Sequence, residues 1–264
     1  MLMLRTLKHS PLWTVCLIGL GALAVLAARG LDIGPLHTDV LIHRAWFSEV
    51  GPEGFTKRYL DWNQRHLLVG PVNAAAYVLF EEHDAPYNVI FQASRIFEGV
   101  FMAGIVYQLV RRRWLAICAG LAVMFTPIRL PELYQGINWY IEPTLTLLLA
   151  SSYTYLLSLR MDRARWPLYV LSVILYSLSV LIYESGLPWI AVNMLLGWIV
   201  LADQPWRARL WRVTRDALPI IAVGIGVMII VLFVFEPWEG LAPNEESISI
   251  GRFVEQIGSI VTFP

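Results

Sequence analysis

Charge is scarce in this chain. Only 15% of its 264 residues are Asp, Glu, Lys or Arg, against about 25% in an average globular protein. With 57% of the residues apolar, most of the folded surface cannot face water, and an ordinary soluble domain is excluded. Net charge is lacking too, because 20 basic and 20 acidic residues cancel. A nucleic-acid partner needs a concentrated basic face to neutralise phosphates, so none is expected. Cysteine is limited to Cys16 and Cys118, both within apolar runs, and neither a disulfide framework nor a thiolate metal site follows. Internal repeats, low-complexity tracts and heptads are missing. No long polar stretch exists outside the loops to build a soluble catalytic domain.

Long apolar runs are what the chain does have. A helix crosses the hydrocarbon core with about 20 apolar residues. Runs of that kind lie near Leu12–Ala28, Val89–Val110, Trp114–Ile128, Trp139–Leu159, Pro167–Tyr183, Leu187–Ala202 and Ala217–Phe235. The expected fold is therefore all-α, a polytopic membrane helix bundle of about seven transmembrane helices forming one membrane domain over residues 1–264. A further apolar stretch, Leu67–Phe80, has 14 residues, is interrupted by Gly70, Pro71 and Asn73, and is bounded by Arg65, His66, Glu81 and Glu82. That is short for a span and suits a helix lying in the interface.

Basic residues set the orientation. Short loops rich in Lys and Arg stay in the cytoplasm. Arg111, Arg112 and Arg113 form the densest basic cluster, and the amino terminus carries Arg5 and Lys8. Two spans fit between these clusters and three do not, which puts Leu67–Phe80 on the outer face. The cytoplasmic segments then hold twelve basic residues against three acids, Asp162, Asp203 and Asp216, while the rest holds eight basic and seventeen acidic residues. The expected location is the inner (plasma) membrane, multi-pass, with the amino terminus cytoplasmic and the carboxyl terminus outside. Val25-Leu26-Ala27 resembles a cleavage site, but the apolar run before it exceeds the roughly 7–15 residues of a signal core. Gly251–Ile260 reads as the lead-in to a further span, as in a piece of a longer protein.

Polar residues gather in the first outer loop, 29–88. A connection between spans needs a handful of residues, so a loop of this length with Trp46, Phe47, Tyr59 and Trp62 is expected to fold onto the membrane surface with interfacial helices. Val40–Val50 reads as a short amphipathic helix ended by a turn at Gly51-Pro52-Glu53-Gly54. Asp39 opens that helix, and two readings stand for it: an N-cap shared with Thr38, or a general base held near the membrane surface. His66, beside Arg65, begins the second interfacial helix and suits a phosphate or a sugar hydroxyl as well as plain solvation. His37, His43, Glu49 and Glu53 match no known ligand spacing, so no metal site is assigned.

Ionisable groups at membrane depth are costly and carry a functional hypothesis by default. Arg95 and Glu98 stand one turn apart near the outer end of the second span, where they can neutralise each other. Glu142 sits one turn into the fourth span. Glu184 lies in the tight outer connection Tyr183-Glu184-Ser185-Gly186. With Arg129 also at the outer level, these residues suit a shared polar cavity in which arginine forks hold phosphate.

A first span is followed by a long outer loop with an early Asp and by a surface helix opened by a His. Pro86-Tyr87 leads to Arg95 and then to Val106-Tyr107-Gln108-Leu109-Val110-Arg111-Arg112-Arg113, and Leu181-Ile182-Tyr183-Glu184-Ser185-Gly186-Leu187-Pro188 follows later. In these features the chain resembles the GT-C class of membrane glycosyltransferases. In style the chain is most similar to protein O-mannosyltransferases and the aminoarabinose transferases of lipid A. It departs from the class in carrying Asp39 alone where many members have two acids, and in having fewer spans.

The resemblance implies transfer of a sugar from a polyprenyl-phosphate donor to a lipid, glycan or protein acceptor at the outer face, with membrane lipids around it. It casts Asp39 as the catalytic base, Arg65 and His66 near the donor phosphate, Arg95 along the same wall, and Glu184 as an orienting group opposite. No cofactor is assigned, and the lone Asp39 leaves open whether a divalent metal assists. The rival reading is a non-enzymatic lipid-binding, flippase-like or assembly-partner membrane protein that uses the same cavity.

Overall fold

The computed structural model describes residues 38–62, 67–80, 85–125, 141–183 and 186–230. Every regular element among them is helical: α1 (Thr38–Trp62), α2 (Val69–Phe80), α3 (Ala85–Val110), α4 (Arg113–Phe125), α5 (Ile141–Arg160), a single 3-10 turn (Asp162–Ala164), α6 (Arg165–Ile182), α7 (Trp189–Val200) and α8 (Trp206–Ile229). The expected first span, Leu12–Ala28, lies outside the described residues, as do 126–140 and 231–264. Two helical stretches, Gln92–Val110 and Asp162–Ile182, are long and apolar enough to cross a membrane. Val69–Phe80, Arg113–Met124 and Trp189–Val200 are shorter apolar helices.

The helices are amphipathic in the inverted sense. On α6, Val170, Ile174 and Leu178 are exposed at helical spacing, while Ser172 and Ser179 are buried. On α7, Val192, Leu195 and Ile199 are exposed and Asn193 is buried. A helix facing water presents the opposite pattern. The inward small residues let helices approach closely, and their hydroxyls join helices directly. Ser151 Oγ donates to the Ser172 carbonyl at 2.9 Å and Ser172 Oγ donates back to the Ser151 carbonyl at 2.8 Å. Trp189 Nε1 donates to Ser152 Oγ, which donates to Asn193 Oδ1.

Three turns meet at one end of this bundle. The α3–α4 turn takes only Arg111 and Arg112, with Arg111 in the left-handed conformation (φ 59°). The Arg160 guanidinium donates to the Gln108 carbonyl at 2.6 Å, tying the carboxyl ends of α3 and α5. Burial pushes the pKa of Arg160 down; nearby Arg111 acts in the same direction, and Asp203 opposes both. Leu159, Leu201 and Val213 share one apolar cluster, which brings the α7–α8 turn to the same place. Exposed Trp114, Trp166, Trp206 and Trp211 ring this end.

The opposite end is covered by α1 and α2. Phe55, Tyr59, Val69, Ala74 and Tyr77 form a buried cluster against which Tyr87 of α3, Ile182 of α6 and the following Tyr183 pack. The Leu68 amide donates to the Leu181 carbonyl at 2.9 Å. The first loop therefore does fold into helices, as expected from its aromatics.

The break expected at Gly51–Gly54 is present as a kink within α1, where two helical segments meet at Gly51. Gly51 adopts φ 69°, ψ −176°, a region essentially confined to glycine, and Pro52 then starts a second helical segment, where its missing N–H costs nothing. Helix α8 starts at Trp206, not Ala217, directly after Pro205. Its arginines do not prevent helix formation, and Val213 among them packs into the apolar cluster. Helix α7 has 12 residues, about 18 Å of length, so turns at both ends take up part of the expected span Leu187–Ala202.

Gly51 and Gly226 have open space where a Cβ would stand, so replacement by alanine isolates backbone effects. Gly51→Ala is expected to destabilise the protein by about 1–3 kcal/mol. Gly226→Ala, inside α8, is expected to stabilise by about 0.5–1 kcal/mol. Thermal unfolding of the two purified variants in detergent checks both signs.

Candidate functional site

The most deeply buried charges among the described residues lie on α3. Arg95 is 3% exposed and Glu98 is 0% exposed. Their guanidinium and carboxylate meet at 3.4 Å, Nη1 to Oε2. The Arg95 Nη2 also donates to the Met124 carbonyl of α4 at 3.4 Å. From α5, Thr146 Oγ1 donates to the Ser94 carbonyl at 3.2 Å, with Glu98 Oε1 at 3.5 Å from the same hydroxyl. One ion pair thus ties three helices. Its position near the midpoint of Ala85–Val110 is deeper than the outer-end placement read from the sequence, because α3 begins before Val89.

Glycine permits this geometry. A Cβ on Gly120 would stand 2.7 Å from the Gly99 carbonyl oxygen, a distance that real Cβ atoms do not adopt. With Gly99 and Gly120 facing each other, α3 and α4 approach closely enough for the Met124 carbonyl to reach Arg95.

Aromatic rings dominate the α1–α2 cap. Phe47, Phe55 and Tyr77 contact one another at centroid distances of 5.3–5.9 Å, and Phe80 packs edge-on against Tyr87 at 5.3 Å. Arg58 bridges the kink: its Nη1 pairs with Glu49 Oε2 at 2.8 Å while its guanidinium lies 5.2 Å over the Trp46 ring. Offset ring pairs of this kind add about 0.5–1.5 kcal/mol each beyond burial, so the cap is a small core in its own right.

The sequence-derived site residues divide between those the structure describes and those it does not. Asp39 occupies the first turn of α1, and its side chain lies outside the description. Arg65, His66, Glu184 and Arg129 lie outside the described residues, and so does the side chain of Glu142. Arg95 is placed, and its partner is Glu98, as the i, i+3 spacing implied. The chain just after His66 and the chain just before Glu184 are joined by the Leu68–Leu181 hydrogen bond. Among the described residues no three His, Cys, Asp or Glu side chains come together to hold a metal ion.

A second buried charge escaped the sequence reading. Asp216, counted there as a loop acid, is 7% exposed. Its Oδ1 lies 3.0 Å from Arg215 and 3.6 Å from Arg165 across the interface with α6. The Tyr169 hydroxyl donates to the Asp216 carbonyl at 2.8 Å. An acid within a basic run was the available signal, but the partner on α6 is invisible in one dimension.

Comparison with protein-family models, with curated proteins and with solved structures found no match to this chain.

Breaking a buried ion pair leaves an uncompensated charge, whereas replacing both partners by apolar residues can be nearly neutral. Glu98→Gln is expected to destabilise the protein by about 3–5 kcal/mol. Combining Arg95→Met with Glu98→Leu is expected to recover most of that loss. Unfolding midpoints of the single and double variants in detergent decide it, and a double variant no better than the single would show that the pair is not coupled.

Proposed function

We propose that this chain is the membrane core, or part of the core, of an inverting GT-C-type glycosyltransferase of the cell envelope. In this reading it moves a sugar from a polyprenyl-phosphate donor to a lipid, glycan or protein acceptor at the outer face of the inner membrane. The chain crosses the membrane about seven times, with the amino terminus in the cytoplasm and the carboxyl terminus outside. The basic turns then face the cytoplasm, and the α1–α2 cap faces out.

The observation that carries the reading is the position of Asp39. It opens α1, the first helix of a cap packed on the bundle end opposite the basic turns. That agrees with the early acid of the first outer loop in the sequence resemblance. The inverted amphipathicity of α6 and α7 supports the membrane part independently.

The chemistry asks for few groups. The Asp39 carboxylate takes the proton of the acceptor hydroxyl as its oxygen bonds to the anomeric carbon. The anomeric carbon–oxygen bond to phosphate breaks with inversion, and the electron pair leaves with the polyprenyl phosphate. Arg65 and His66 stabilise that charge, and Glu184 orients groups from the other side. Arg95, paired with Glu98, lies further along the same wall. The lipid tail enters laterally between helices.

Removing a positioned general base costs about 10²–10⁴-fold in rate. Asp39→Asn is expected to lose that much turnover in a radiolabelled polyprenyl-phosphate-sugar assay, with folding and donor-lipid binding retained. An Asn variant that keeps full turnover, or a wild-type chain indifferent to every such donor, would favour the lipid-carrier reading.

A further inference from the structure

Helix α1 is two helical rods on one joint. Gly51 stands at φ 69°, ψ −176°, with open space where a Cβ would be. Pro52 keeps the joint from closing into a continuous helix. Its ring disfavours the helical conformation at the residue before it, and it has no N–H to offer the Ser48 carbonyl. The angle between the rods is therefore set by side chains rather than by the helical ladder.

Those side chains hold the two halves unequally. Beyond the joint, Phe55 and Tyr59 are buried in the cap. Before it, Ala45, Ser48, Glu49 and Val50 are exposed, while Trp46 and Phe47 are partly buried. Phe47 meets the cap through the Phe55 and Tyr77 rings. The Glu49–Arg58 pair, with Arg58 over Trp46, clasps the halves together across the joint. Both partners are well exposed, Glu49 at 64% and Arg58 at 43%, and an exposed pair holds weakly. A Cβ on Gly54 would stand 2.7 Å from the Val50 Cβ, so the observed bend needs glycine at that position too.

We infer that residues 38–50 form a lid hinged at Gly51, held closed here by the Arg58 clasp, which carries Asp39 on and off the site. Hinges of lids are a few backbone positions that absorb a large change in φ and ψ, and glycine does so most freely. Closure of a lid commits the substrate and excludes water, and a bulky lipid-linked donor needs an opening to enter. A weak clasp keeps the open form within reach. What the lid covers rests on the function proposed above; the hinge rests on α1 alone.

Spin-label distances on the full chain in detergent, with Cys16 and Cys118 replaced by alanine, test this. One label pair joins Ser48→Cys on the lid to Leu79→Cys on α2, and a control pair joins Lys57→Cys, beyond the joint, to Leu79→Cys; all three sites are exposed. Arg58→Gln is expected to raise the ratio of open to closed lid by about 2–5-fold, which is what an exposed ion pair supplies. Gly54→Ala, which wedges Val50 away, should raise it further. The control distance should stay constant in both variants. Added polyprenyl phosphate should return the lid pair to the closed distance. A lid distance that stays single and unchanged in both variants overturns the inference. So does a control distance that spreads together with it, because the whole cap then moves. If Gly54→Ala does not fold, Arg58→Gln decides alone. A lid that opens in the variants yet ignores polyprenyl phosphate keeps the hinge and counts against the donor reading only.

Discussion

A carboxylate and a guanidinium buried at the middle of one helix have to be held together, because neither can be left without a partner in apolar surroundings. The Arg95–Glu98 pair meets that requirement, and much of the bundle is arranged around it. Gly99 and Gly120 bring α4 close enough for its Met124 carbonyl to take a donor from Arg95. Thr146 closes the network from α5. The seam of Ser151, Ser152, Ser172, Asn193 and Trp189 repeats the same logic between α5, α6 and α7 with neutral groups. Polar atoms turn inward and bond to one another while Val, Leu and Ile turn outward, which is the arrangement a lipid solvent demands of helices.

The two ends of the bundle are chemically unlike. One collects the arginines of three turns and four exposed tryptophans, and suits a surface of anionic headgroups. The other carries an aromatic cap built from two helices that a simple connection would not need. In the proposed reading, anchoring and catalysis are separated by the thickness of the membrane. The basic end fixes depth and orientation, and the cap shapes the site. The buried pair between them keeps the helices that join the two ends in register.

The helical class and the pairing of Arg95 with Glu98 were legible because each depends on spacing along one helix. The gathering of the basic turns was legible because antiparallel neighbours return the chain to the same end. Other features depend on contacts between helices, which one dimension does not hold. Nothing in the sequence marks Thr146 or the Met124 carbonyl as partners of the ion pair, or Arg165 as a partner of Asp216. The break at Gly51 was legible because Gly-Pro stops a helix; that Pro52 at once starts a second segment was not. The start of α8 was misread because charge was taken to mean loop, when it reports depth and not conformation. Of the proposed site, Asp39 is placed along the chain by α1, while Arg65, His66 and Glu184 lie outside the described residues.

The central claim is that the chain handles an isoprenoid phosphate, and the lipid it carries from its own membrane tests that most directly. The measurement is an intact native mass spectrum of the protein extracted from its host's membranes in gentle detergent. The account predicts adducts with the mass of a polyprenyl phosphate, bare or bearing a sugar. A spectrum that retains ordinary phospholipids and shows no isoprenoid lipid would contradict it.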